Sequence, residues 1–109
     1  MNVNSVFPDK NYFLSDPAGC PCADLSEMTG IMKKEMSFAE YIDIFPTLEI
    51  SDYYRTDTHW RQEKLLPAAK KLAQALGVNL PEDYTVQTLE RPFYGVYYGQ
   101  AALPLPTEA

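Results

Sequence analysis

The chain has 109 residues, 46% of them hydrophobic, with 15 acidic against 9 basic side chains and a formal net charge of −6. That length allows one domain at most, with a modest core. The acidic balance and the lack of a basic patch argue against nucleic acid or an anionic membrane surface as partners, and no apolar run approaches the roughly 20 residues that span a bilayer.

Residues 1–9 lack the basic start and apolar stretch of a signal peptide, a pattern that a trimmed exported domain would share. The nine prolines and eight tyrosines suggest extended segments and broad contact surfaces. Residues 11–14 form a short aromatic and apolar run that predicts a strand. Residues 15–21 read as a Pro/Gly turn. Cys20-Pro21-Cys22 is spaced too closely for a relaxed disulfide and is not a Cys-x-x-Cys motif, so two loop thiols are the plainer reading. A zinc site would need Cys20, Cys22, His59 and a carboxylate to converge.

Asp24 or Ser26 is placed to cap a helix in which Leu25, Met28, Ile31, Met32 and Met36 recur at helical spacing, although Gly30 weakens it. Residues 41–45 predict a strand ended by Pro46. The clearest helix covers 65–76. Its leucines and alanines share one face, which is expected to lie on the sheet with Leu72 buried. Pro67 is tolerated only near the first turn, and Gly77 is a natural C-cap. Residues 81–83 predict a turn, 84–89 an alternating strand, 92–100 an aromatic, glycine-rich segment, and 103–109 an extended tail. Strands separated by helices predict an α/β layered fold with a short sheet and one to two main helices.

The only histidine and the only tryptophan lie together in Asp52-Tyr53-Tyr54-Arg55-Thr56-Asp57-Thr58-His59-Trp60. Asp57 two residues before His59 suits an extended or turn segment in which both side chains point to one side. A carboxylate that accepts from one ring nitrogen fixes the tautomer and leaves the other nitrogen free as a base. The competing reading is a pair of satisfied surface groups or a helix cap. Tyr53, Tyr54 and Trp60 either wall a sugar or acyl pocket or pack the following helix onto the sheet. Arg55 either holds an anionic group or pairs with Asp52 or Glu63.

The run from Asp52 through Trp60-Arg61-Gln62-Glu63 resembles the signature of the bacterial DHHW family, which is related to SGNH hydrolases and to alginate-type O-acetyltransferases. Pro92-Phe93-Tyr94-Gly95-Val96-Tyr97-Tyr98 is similar to the Phe-Tyr-Gly-x-Tyr-Tyr segment of that family, and the strand at 41–44 also fits. The resemblance covers residues 41–102. It differs at Thr58, where the family name has His, and in the Asp-x-His spacing, which most SGNH esterases write Asp-x-x-His. Ser5, Ser15, Ser26, Ser37 and Ser51 lack the Gly-Asp-Ser context of the SGNH nucleophile.

The resemblance implies a partial SGNH-like, flavodoxin-like fold in a segment of a longer protein exported to the periplasm, the cell surface or the medium. The implied activity is transfer or hydrolysis of O-acyl groups, acetyl above all, on surface polysaccharide. Asp57 would orient His59, and His59 would be the general base. Tyr54, Arg55 and Trp60 would contact a polysaccharide or an acylated small molecule. A non-catalytic carbohydrate-binding or assembly module on the same fold is the alternative. No cofactor and no metal are expected. A missing continuation would leave an uncovered edge near residues 93–103, through which a second copy could bind.

Overall fold

Val3 and Asn4 pair in parallel with Glu40 and Tyr41, making a two-stranded sheet of β1 (Val3–Asn4) and β2 (Glu40–Tyr41). A computed structural model describes residues 1–14, 19 and 21–108. The pairing continues past the strands, with Ile42 N–H donating to the Asn4 carbonyl at 2.8 Å and the Ser5 hydroxyl to the Ile42 carbonyl at 2.7 Å. Ile42 and Ile44 are buried while Asp43 between them is exposed. This is the period-two alternation of an extended segment with one face inward. The strand predicted at 41–45 stops early for a local reason. Asp43 Oδ1 accepts from Phe45 N–H, and Phe45–Thr47 with Pro46 forms a 3-10 turn.

Among the described residues, three α-helices accompany the sheet: α1 (Leu25–Glu35), α2 (Leu66–Leu76) and α3 (Val96–Ala101). The molecule is therefore a small α/β arrangement. Asp24 caps α1 by accepting from Glu27 N–H at 2.9 Å, as its position before the apolar stripe predicts. Only Leu25 of that stripe is buried, and Met28 and Ile31 face outward. In α2, Pro67 lies in the first turn, where its missing N–H costs nothing. Gly77 ends the helix at φ 68°, the left-handed region that glycine enters without strain. Gly77 N–H donates to Gln74 and Val78 N–H to Ala73, the paired bonds of a Schellman termination.

Four expectations need correction. Residues 11–14 belong to a 3-10 turn (Lys10–Phe13), because the Asp9 side chain accepts from Asn11 N–H and curls the chain. Leu72 is half-buried, and the buried members of α2 are Ala68 and Ala73. Among the described residues no helix packs extensively on so small a sheet. Residues 84–89 form no strand. Tyr84, Val86 and Leu89 are exposed, since alternation alone cannot make a strand without a partner. The segment at 103–108 does not trail away, because Glu108 returns to bridge Phe93 in antiparallel fashion. The predicted turn at 81–83 is a bend at Glu82. The turn predicted at 15–21, with Cys20, lies mostly outside the described residues.

The buried apolar set is Val6, Leu25, Ile42, Ile44, Leu48, Tyr53, Ala68 and Ala73. Four of these, Ile42, Ile44, Leu48 and Tyr53, lie in the stretch from the end of β2 to the start of the loop after Asp52. The Cα radius of gyration is 16.5 Å, above the roughly 13 Å of a 100-residue chain around one core. Much apolar surface stays outside, including Phe38, Val86, Leu89 and Tyr94. Among the described residues, no helix is long and apolar enough to cross a membrane.

Candidate active site

The site is built on a tight loop closed by three cross-chain links. Arg61 N–H donates to the Asp52 carbonyl at 2.7 Å, Tyr53 bridges Trp60, and Tyr54 N–H donates to the His59 carbonyl at 3.1 Å. Residues 55–58 form the tip. The aromatic residues divide between structure and surface. Tyr53 is buried, its ring packs edge-on to Trp60 with centroids 6.4 Å apart, and its hydroxyl donates to the Pro8 carbonyl at 2.7 Å. Burial raises its pKa. Tyr54 and Trp60 are half-buried and face a cleft.

Asp57 and His59 come together as the spacing predicts. Asp57 Oδ1 accepts from His59 N–H at 2.9 Å, an Asx turn that folds the chain back on itself. The same oxygen accepts from the His59 ring at Nδ1. Nδ1 therefore carries the proton, which leaves Nε2 as the available base. Oδ2 accepts from Val96 N–H at 2.8 Å. Burial opposes ionisation of Asp57, but the hydrogen bonds from His59 and Val96 outweigh it and hold the carboxyl below its usual range. The carboxylate is buried, while the His59 side chain is 80% exposed.

Several residues that sequence reasoning missed complete the site. The Lys10 ammonium donates to the carbonyls of Tyr54, Arg55 and Asp57 at 2.6, 3.2 and 3.2 Å. Burial lowers its pKa, against the charges of Glu108 and Asp57. Gly95 is buried against the loop. A side chain there would collide with the Thr56 carbonyl, and that carbonyl accepts from Tyr97 N–H at 3.1 Å. The start of α3 thus docks directly on the Asp57 loop. Neither residue type, a lysine near the start of the chain or a lone glycine in an aromatic segment, marks itself locally as part of this site.

Phe7, Tyr54, His59, Trp60 and Phe93 line an open cleft of about 610 Å³. Phe93 packs at a tilt against Tyr54 with centroids 4.6 Å apart, and Phe7 likewise against Trp60 at 5.8 Å. Arg55 is exposed and is not among the residues of the cleft. Its expected partners are engaged elsewhere. Arg61 Nε pairs with Glu63 at 2.6 Å, and Lys64 lies 3.9 Å from Asp52. Among the described residues no serine lines the cleft, and no three His, Cys, Asp or Glu side chains gather to hold a metal. Cys20, one member of the zinc alternative, is outside the described residues.

No family model, curated protein or solved structure matches the chain.

The arrangement can accept a proton. A buried, ionised carboxylate behind an outward imidazole stabilises the imidazolium that forms when Nε2 is protonated. The aromatic walls present apolar faces in the cleft that His59 also lines, a surface suited to a sugar ring or an acyl group.

Proposed function

We propose that the chain carries the Asp-His half of a Ser-His-Asp triad in an exported SGNH-like O-acyl transferase or esterase acting on cell-surface polysaccharide. The observation that supports this is the Asp57–His59 pair, with Asp57 gripped on both oxygens and His59 open to an aromatic cleft. In this reading a serine beyond these residues attacks the acyl carbonyl and His59 Nε2 takes its proton. Asp57 then stabilises the imidazolium. Tyr54 and Trp60 seat the acylated sugar. The two-stranded parallel sheet is part of a larger SGNH-like sheet. Arg55 remains the candidate for an anionic group on the substrate.

The test uses the full reading frame that contains this chain, assayed with aryl acetates and acetylated oligosaccharides. His59→Ala should lower turnover by about 10³-fold or more, as loss of a triad base does. Turnover unchanged in His59→Ala would overturn the assignment.

The lack of a serine in the described cleft favours a second reading, a carbohydrate-binding or assembly module. Trp60 is the only tryptophan, so its fluorescence reports ligand in the cleft directly. Quenching by acetylated and unacetylated oligosaccharides alike, with no ester cleavage in the full frame, would select the module.

Self-association through residues 93–103 is part of the same proposal. Tyr94 and Tyr98 pack against each other at a tilt, with centroids 5.0 Å apart, and remain exposed, while Phe93 is already bridged by Glu108. Light scattering should show dimers at high concentration that Tyr94→Ser with Tyr98→Ser abolishes.

A further inference from the structure

The tip of the Asp57 loop is held between two opposite charges. Its carbonyls turn to the Lys10 ammonium, and its N–H groups turn the other way, to the Glu108 carboxylate. Arg55 N–H donates to Glu108 Oε2 at 2.7 Å, and Thr56 N–H and the Thr56 hydroxyl both donate to Oε1. Successive backbone N–H groups that converge on one point form a concavity for anions. Here the two oxygens of a planar carboxylate are read separately, one by Arg55 and one by Thr56. Thr56 is buried with Glu108 in place.

The group that fills this concavity sits on a thinly attached segment. Residues 102–104, 106 and 107 are exposed. Besides the carboxylate, Glu108 is held by its paired backbone bonds with Phe93, at 3.1 and 3.3 Å. Burial opposes ionisation of Glu108, but the donors of Thr56 and Arg55 and the charge of Lys10 hold its carboxyl below the usual range. An ionised carboxylate on three donors makes stronger bonds than a neutral acceptor would.

We infer that Arg55 N–H, Thr56 N–H and the Thr56 hydroxyl form a carboxylate-binding site that the chain fills with its own Glu108, and that a carboxylate on an external ligand exchanges with it. The tether gives Glu108 an effective concentration on the order of millimolar, so an external carboxylate displaces it only at comparable concentration or with added contacts nearby. Such contacts are close at hand. Phe93, whose backbone is paired with that of Glu108, is also the ring that packs against Tyr54 at the wall of the His59 cleft. A ligand bearing a carboxylate would therefore take the nest within reach of the cleft wall. This goes beyond the acyl-transfer reading and does not depend on it, because no bond is made or broken.

The experiment is a sodium acetate titration of the full chain followed by amide chemical shifts, in wild type and in Glu108→Ala. In the variant, the Arg55 and Thr56 amides should shift saturably with acetate. The half-saturating concentration should be at least tenfold lower than in wild type, and sodium chloride at equal ionic strength should not reproduce the shifts. Glu108→Gln, which keeps one acceptor oxygen and the shape of the side chain, takes the place of Glu108→Ala if the latter loses cooperative unfolding. Equal acetate responses in wild type and variant, or equal responses to acetate and chloride, would overturn the site. Equal responses to acetate and inorganic phosphate would overturn its assignment to carboxylates. None of these readouts changes if the protein lacks acyl-transfer activity, so the two proposals fail separately.

Discussion

Val96 donates its backbone N–H to Asp57 Oδ2 at 2.8 Å across 39 positions of sequence, while Oδ1 of the same carboxylate faces the His59 ring. The orientation of the imidazole therefore depends on where α3 sits. Loss of the Val96 bond would leave Asp57 free to rotate about its side chain, held only by the local turn to His59.

Asp57 should make the protein acid-sensitive in a defined direction. Its carboxyl titrates below the ordinary aspartate value in the folded state. The unfolded chain therefore takes up the proton first as pH falls. The stabilisation is fully present above about pH 4 and is lost progressively as pH falls through the folded value. Glu108 acts in the same sense from a slightly higher starting point. Urea midpoints measured from pH 7 to pH 2 should fall less steeply in Asp57→Asn than in wild type. Parallel acid limbs would show that the carboxylate gains nothing from its partners.

Gly95→Ala should be one of the most damaging single-methyl changes in the chain. The added Cβ meets the Thr56 carbonyl, which is backbone and cannot swing aside. Forced overpacking of this kind costs about 1–3 kcal/mol, and here it would also part Val96 from Asp57. Gly99→Ala is the control, since a Cβ there meets nothing within 4 Å inside α3. It should be neutral or stabilising by up to about 1 kcal/mol. Chemical denaturation of the two variants checks both signs.

Lys10→Met should loosen the loop without touching its side chains. The variant keeps the aliphatic stem but leaves the carbonyls of Tyr54, Arg55 and Asp57 without their shared donor. Hydrogen bonds to a charged group contribute about 1.5–3 kcal/mol, less where water can replace the donor. Amide exchange at residues 54–59 should quicken by roughly tenfold or more, with little change in α2. Unchanged exchange would mean that the hairpin links alone hold the loop.

Ile44→Ala and Leu72→Ala should separate the core from the α2 surface. Ile44 is fully buried, at 0% exposure, and its truncation should cost about 2–5 kcal/mol. Leu72 is half-buried, and its truncation should fall below that range. Equal losses, measured by urea unfolding, would place α2 in the core after all.

What the sequence by itself determined is local. Asp24, Pro67 and Gly77 mark the ends of α1 and α2 because caps and breakers act on bonds within one turn of themselves. Asp57 and His59 meet because an aspartate two residues ahead can accept from the later N–H and bring the ring back over its own oxygen. The tertiary structure decided everything that depends on a partner far along the chain. The alternation at 84–89 found no neighbouring strand and stayed open, whereas Ile42 and Ile44 kept their inward side because residues 2–5 lay beside them. Arg55 was read for its guanidinium, but its backbone N–H is what the structure uses. Lys10, Gly95 and Glu108 carry no distinguishing local pattern. They became site residues because the carbonyls and N–H groups of one tight loop cannot bond to each other. Each buried backbone group must find a donor or an acceptor elsewhere, and which residue supplies it is settled only when the whole chain has folded.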